Sequence, residues 1–135
     1  MIKLVLYGTL KDPELFFSLT GFNFLNEVSG YICGKIYEVT DYTEPQKIFR
    51  YPLFVPDDNG TKIIAKEVAI NVSNHNEGNF WKILQDFEGD LYKLEIINFY
   101  PFNKKPHKSR TYVGNPEKAR EIRFIENTSF YLWQK

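Results

Sequence analysis

Helix starts and stops constrain this 135-residue chain more than any other feature, because they leave most of it to strands. In the first helical segment Asp12 is an N-cap and Pro13 sits in the first turn, where its missing N–H costs nothing. Leu15, Phe16 and Leu19 share a face, and Gly21 is placed to close the helix in a left-handed conformation. The clearest second helix runs from Glu77 to Phe87. There Phe80, Ile83, Leu84 and Phe87 fall at i, i+3, i+4 and i+7, with Asn74 or Asn76 as N-cap and Gly89 as terminator.

The remainder is β-branched and aromatic, punctuated by turn residues. Met1 to Gly8 reads as a first strand, too short in its apolar run for a signal peptide. Residues 28–39 form a second, with Gly30 and Gly34 marking bends or close backbone approach, as a curved sheet requires. A turn-rich stretch follows. Tyr51 to Pro56 is a short extended piece ended by the turn Asp57-Asp58-Asn59-Gly60. Lys62 to Val72 is the next strand, with Val68, Ile70 and Val72 on one face, and these two segments are expected to pair as a hairpin. Tyr92 to Tyr100 and Arg110 to Val113 are further strands, and Gly114-Asn115-Pro116 turns into a brief helical stretch. Strands outnumber helices and parallel βαβ alternation is absent. The expected class is α+β: a small bent mixed β-barrel with flanking helices, forming one domain over residues 1–135.

Charge and composition exclude several functions. The 17 Lys and Arg offset 17 Asp and Glu, so no global field draws in nucleic acid or an anionic membrane. No stretch approaches the ~18 consecutive apolar residues of a spanning helix, and the chain is expected to be soluble. A single cysteine, Cys33, rules out an intrachain disulfide framework and an intrachain thiolate metal cage, which makes a reducing cytoplasm the expected compartment. Cys33 itself is expected to be a buried, inert thiol. His75 and His107 both lie in polar turn sequences and belong to no spaced ligand set, so no metal is expected. Without a Walker loop, Rossmann fingerprint or Gly-x-Ser-x-Gly elbow, no cofactor is expected either. The run Lys104, Lys105, His107, Lys108, Arg110, near Tyr100 and Phe102, has residues that contact phosphates and bases elsewhere. Here it reads as a solvated loop between strands.

Two features combine a special backbone with polar chemistry. Tyr7-Gly8-Thr9-Leu10 leaves a strand just before a capped helix, where backbone N–H groups lack partners and can face an anion or a developing oxyanion. Asp86-Phe87-Glu88-Gly89 ends the second helix, and a carboxylate there meets the negative end of the helix dipole, which favours the neutral acid. The dipole term is about 0.3–1 kcal/mol, less than one pKa unit, so burial decides whether Glu88 becomes a base suited to neutral pH.

In order and spacing, these motifs resemble the gamma-glutamyl cyclotransferase-like family, which includes gamma-glutamylamine cyclotransferase. The resemblance rests on Leu4-Val5-Leu6-Tyr7-Gly8-Thr9-Leu10-Lys11, Gly34-Lys35-Ile36-Tyr37, Tyr51-Pro52-Leu53-Phe54-Val55 and Leu84-Gln85-Asp86-Phe87-Glu88-Gly89 followed by Tyr92. It implies a bent β-barrel with a pocket at one end, Glu88 as the catalytic residue, and Tyr7, Gly8, Thr9, Leu10 and Tyr92 around the substrate. The implied reaction is a transferase- or lyase-type cyclisation, in glutathione or γ-glutamylamine metabolism. A γ-glutamyl group closes to 5-oxoproline and releases its attached amine or amino acid, with no cofactor. A small γ-glutamyl compound is thus the implied partner. Tyr37, Tyr112 and Tyr131 are read as core or surface residues. The chain departs from the family pattern at Ile64-Ala65-Lys66-Glu67-Val68, where relatives usually carry a glycine, and in the short Asp90-Leu91 segment before Tyr92. Two rival readings are a non-catalytic small-molecule-binding member of the same fold and an aromatic-rich nucleic-acid-binding barrel. An enclosed cavity where Glu88 approaches the Tyr7 to Leu10 loop favours catalysis, an exposed Glu88 or a filled cavity favours a binding or scaffold role, and basic and aromatic side chains along an open groove favour nucleic acid.

Overall fold

The computed structural model describes residues 1–44, 47–89, 92–114, 122–124 and 130–131. In chain order these form β1 (Ile2–Leu6), a 3₁₀ turn (Thr9–Lys11), α1 (Pro13–Thr20), β2 (Asn26–Glu44), β3 (Lys47–Pro56) and β4 (Thr61–Ile70). There follow α2 (Glu77–Glu88), β5 (Tyr92–Pro101), β6 (His107–Gly114), β7 (Ile122–Phe124) and β8 (Phe130–Tyr131). The architecture is α+β, a bent and nearly closed mixed sheet with two helices packed on it. The sheet order is β1-β4-β2-β5-β6, with β3 and β7 also on β2, and β8 on β4 as the one parallel pair among the described residues.

β2 is the common partner. From Asn26 to Gly34 it runs antiparallel to β4, and from Gly34 to Glu44 antiparallel to β3. Gly34 pairs with both Pro56 and Thr61, so the chain passes from β3 to β4 around one β2 glycine. The intervening turn is held by the Gly60 N–H on the Asp57 carbonyl at 2.8 Å and the Asn59 N–H on Asp57 Oδ1 at 3.0 Å. The expected hairpin therefore does not form: Tyr51–Pro56 and the Lys62–Val72 segment both lie along β2 instead of pairing with each other. A Cβ at Gly34 would collide with the Phe54 ring and the Val55 carbonyl, and one at Gly30 with the Tyr100 carbonyl. These are the close approaches for which glycine is needed. The stretch after Val39, expected to be turn-rich, continues as strand to Glu44 and resumes at Lys47, with a register irregularity between Asp41 and Glu44. Ladder pairing overrides the turn propensity of its polar residues.

Two apolar clusters use opposite faces of the sheet. Val5, Tyr7, Ile32, Phe54, Ile63, Ala65, Ile97, Phe99 and Val113, drawn from six strands, fill the concave interior. Ile2, Leu4, Leu6, Val68, Ile70, Val72, Tyr92 and Tyr112 face Phe16 of α1 and Phe80 and Leu84 of α2. β1 is thus covered on both faces along most of its length, which is why it reads as a nearly unbroken apolar run. Between β1 and β6, among the described residues, side chains replace a backbone ladder: Thr111 Oγ1 donates to the Val5 carbonyl at 2.8 Å, and the Tyr7 hydroxyl to the Tyr112 carbonyl at 2.7 Å.

Both helices end where the sequence predicts. Asp12 accepts the Glu14 N–H at 3.0 Å, and Gly21, at φ 80°, donates to the Phe17 carbonyl at 2.8 Å. The buried stripe of α1 is narrower than expected: Phe16 is fully buried, Leu19 packs partly, and Leu15 is exposed. Similarly, α2 buries Phe80 and Leu84, while Phe87 on its last turn is 44% exposed. Asn76 takes the N-cap position, but its side-chain amide donates to Ser73 Oγ and caps nothing. Cys33 is half-buried rather than buried. His107 starts β6 and pairs with Phe99, so it belongs to a strand rather than a turn. The expected helical stretch after Gly114 falls on residues outside those described, and β7 and β8 add two short strands to those expected. Among the described residues, no helix is long and apolar enough to cross a membrane.

Candidate functional site

β1 delivers Tyr7 and Gly8 to one end of the sheet, and the 3₁₀ turn folds Thr9 to Lys11 back across it, with the Lys11 N–H on the Gly8 carbonyl at 3.2 Å. Leu10 is buried in the helix-facing core, so only its backbone is available to a ligand. At Gly8 an added Cβ would meet nothing within 4 Å, and its N–H makes no backbone hydrogen bond among the described residues. This is open space bordered by a backbone donor.

Glu88 is the last residue of α2, and Gly89 beyond it adopts φ 82°, ψ −174°, a conformation essentially confined to glycine. The Glu88 residue is half-buried. Loss of water around its carboxyl raises the pKa from 4.5 to about 7. Its charge is felt at Tyr7 and at Tyr112. Burial, then Glu88, then Tyr92 hold the Tyr7 hydroxyl well above its ordinary value, with a backbone hydrogen bond at Phe54 acting the other way. Burial, then Glu88, push Tyr112 up to about 12. Tyr7, Glu88, Tyr92 and Tyr112 therefore form one electrostatic neighbourhood. Both Tyr7 and Tyr112 stay neutral at physiological pH, while Glu88 exchanges its proton there.

The resemblance puts Tyr7 around the substrate, where its side chain either packs under the loop or offers its hydroxyl to the pocket. It packs: it is 7% exposed, its ring lies 5.3 Å from that of Phe54, and its hydroxyl donates to Tyr112. Tyr92 is buried at the start of β5. Tyr112, read from the sequence as core or surface, is in the core and within electrostatic reach of Glu88; strand alternation carries no signal for the second fact. Gln85 is the other addition. Its Nε2 donates to the Gly89 carbonyl at 3.1 Å and the Tyr92 carbonyl at 3.0 Å, tying the end of α2 to the start of β5 and fixing the frame from which Glu88 projects.

The basic run disperses. Lys104, Lys105 and Lys108 are exposed, Arg110 lies over the Trp81 ring at 4.9 Å, and His107 pairs with Glu67. Tyr100 stacks on Tyr31 at 5.0 Å. Arg110, His107 and Tyr100 are thus each engaged by a neighbour in the fold, while the three lysines are exposed. Among the described residues, no group of three or more His, Cys, Asp or Glu is arranged to hold a metal.

No family model matches this chain, and no curated protein matches it. Solved structures do. The solution structure of At5g39720.1 from Arabidopsis thaliana superposes with a TM-score of 0.60 at 19% identity, covering 89% of this chain and 75% of that one. That of At3g28950.1 from the same plant gives 0.58 at 19%, covering 87% and 64%. Allophanate hydrolase from Kluyveromyces lactis gives 0.56 at 12% over 92% of this chain, which spans 19% of that longer protein. At these identities the likeness establishes a shared fold, the bent α+β barrel with flanking helices.

Proposed function

We propose that the chain is a γ-glutamyl cyclotransferase-like enzyme, cyclising a γ-glutamyl group to 5-oxoproline with release of its amine or amino acid. The observation that carries this reading is the Glu88 carboxyl, raised to about 7 and within electrostatic reach of Tyr7, the residue that precedes the open backbone at Gly8. A group of that pKa is suited to taking and returning a proton at neutral pH.

The substrate brings its own nucleophile, and intramolecular attack carries a large effective molarity. Ionised Glu88 takes a proton from the substrate's α-ammonium. The freed amine forms a bond to the γ-carbon, and the carbonyl electrons move to oxygen. Backbone N–H groups at Gly8, Thr9 and Leu10 serve that oxyanion or the α-carboxylate. As the oxyanion collapses and restores the carbonyl, the bond to the departing nitrogen breaks and Glu88 returns its proton there; the ring nitrogen gives its second proton to the same amine, which leaves as an ammonium. No water is consumed, and neither Cys33 nor a histidine has a role.

The test is detection of 5-oxoproline from a panel of γ-glutamyl-lysine, γ-glutamyl amino acids and small γ-glutamylamines. Glu88→Gln should abolish formation while the protein stays folded. Unchanged turnover in that variant overturns the reading. Silence across the panel, with a γ-glutamyl compound still bound, replaces it with the non-catalytic binding role.

A further inference from the structure

A second polar cluster gathers around Glu67, in pockets that Lys3 of β1 also lines. Glu67 on β4 stands opposite Val5 of β1 and Val28 of β2, and it is 5% exposed. A buried carboxylate is costly unless its acceptor sites are filled. Among the described residues, Glu67 has one partner: His107 Nε2 lies 3.0 Å from Oε1 and 2.9 Å from Oε2. A single ring nitrogen offers at most one N–H, whereas a carboxylate has about four acceptor sites. The imidazole is itself 40% exposed, so it covers Glu67 from the solvent side.

Two cavities meet at this residue. One, of about 250 Å³, is lined by Lys3, Asn26, Lys104 and His107 as well as Glu67. The other, of about 300 Å³, is lined by Lys3, Glu67, Ile96, Lys108, Ser109 and Arg110. Ser109 is 8% exposed, and its Oγ is buried without a hydrogen-bond partner. Buried polar groups are ordinarily satisfied, so an under-served carboxylate and an orphan hydroxyl at adjoining cavities point to a polar guest. The charges limit what that guest is. A simple anion answers the cations but leaves the acceptor sites of Glu67 unfilled, and a simple cation is repelled by Lys3, Lys104, Lys108 and Arg110. A guest carrying both charges satisfies both sets.

We propose that this end of the barrel binds a small zwitterion, an α-amino acid in its simplest form. The ammonium, with three donors, fills the free acceptor sites of Glu67 beside or in place of His107. The carboxylate reaches the ammonium groups of Lys3 and Lys104, and Ser109 supplies the remaining hydrogen bond. The inference does not rest on cyclotransfer, because Tyr7, Glu88, Tyr92 and Tyr112 take no part.

The test is a ¹H–¹⁵N NMR titration of the full chain with glycine, ethylamine and acetate. Glycine should give saturable shifts at the amides of Glu67, His107 and Ser109, and the other two probes should bind about tenfold more weakly or worse. Glu67→Gln, which keeps the shape but removes the charge, should weaken glycine about tenfold. Ser109→Ala should weaken it severalfold, and serves if the Glu67 variant does not fold. Glu88→Gln should bind glycine as the unaltered chain does, which separates this site from the proposed active site. Absence of saturable glycine shifts overturns the proposal. So does ethylamine or acetate matching glycine, or indifference of glycine binding to whichever of the two variants folds.

Discussion

The Tyr7 hydroxyl donates to the Tyr112 carbonyl at 2.7 Å across 105 positions of chain, at a seam where β1 and β6 share no backbone ladder among the described residues. With the Thr111 hydroxyl on Val5, it makes barrel closure a side-chain interaction. Tyr7→Phe leaves a buried carbonyl with a lost partner and should cost about 1–3 kcal/mol in urea unfolding. Thr111→Val should cost a similar amount. Because both bonds close one seam, the double variant should depart from additivity by more than about 0.5 kcal/mol. Strict additivity would show that they act independently.

Glu88 makes stability fall as pH rises. Its folded pKa, about 7, lies above the 4.5 of an unperturbed glutamate, so between those values the folded chain holds a proton that the unfolded chain has lost. The contribution is fully present below 4.5 and is lost as pH passes through 7. The difference corresponds to roughly 3 kcal/mol at most. Glu88→Gln should therefore gain stability relative to the unaltered chain on going from about pH 5 to about pH 8, by up to ~3 kcal/mol. A flat difference across that range would refute the buried carboxyl.

In the proposed reaction, kcat/KM should rise with pH through an apparent value near 7, set by ionisation of Glu88 in the free enzyme. A limb centred in the ordinary carboxylate range would assign the base elsewhere.

Gln85→Met keeps side-chain length and removes both donors to Gly89 and Tyr92. The expected cost is about 1–3 kcal/mol. The Glu88 carboxyl, followed by ¹³C NMR, should also move toward 4.5 as the helix end loosens and admits water. Loss of stability with an unmoved titration would leave Gln85 as a structural staple alone.

Gly89 and Gly8 should respond differently to alanine, although both have room for a Cβ. Gly89→Ala forces a side chain into φ 82° and should cost about 1–3 kcal/mol in thermal unfolding. Gly8 has no positive φ, so Gly8→Ala should stay within about 0.5 kcal/mol. Its effect should fall on KM, because the methyl enters the space beside the loop.

Local rules read well here, and pairing rules did not. Asp12, Gly21 and Gly89 sit where capping chemistry requires, since those interactions are settled within a few residues. The two glycines of β2 were legible as close approaches. Which strands approach them was not, because Tyr51–Pro56 and Lys62–Val72 have the composition of a hairpin whether or not they pair together. Strand register is a choice among long-range partners, and the Thr40-Asp41-Tyr42-Thr43 stretch takes strand form only because β3 lies beside it. The site divides the same way. Glu88 was visible as a carboxylate at the wrong end of a helix dipole. Tyr112 and Gln85 matter through where β6 and β5 arrive, and Glu67 through an imidazole 40 positions away.

Because β3, β4, β5 and β7 all bond to β2, none of them can be replaced by solvent without baring part of the same strand. Amide hydrogens in the paired middle of β2 should therefore exchange only when the whole molecule opens. Those flanking the side-chain seam between β1 and β6 should exchange through smaller excursions. Such a protein has a spine and a zipper, and its slow breathing should begin at the zipper, next to Tyr7.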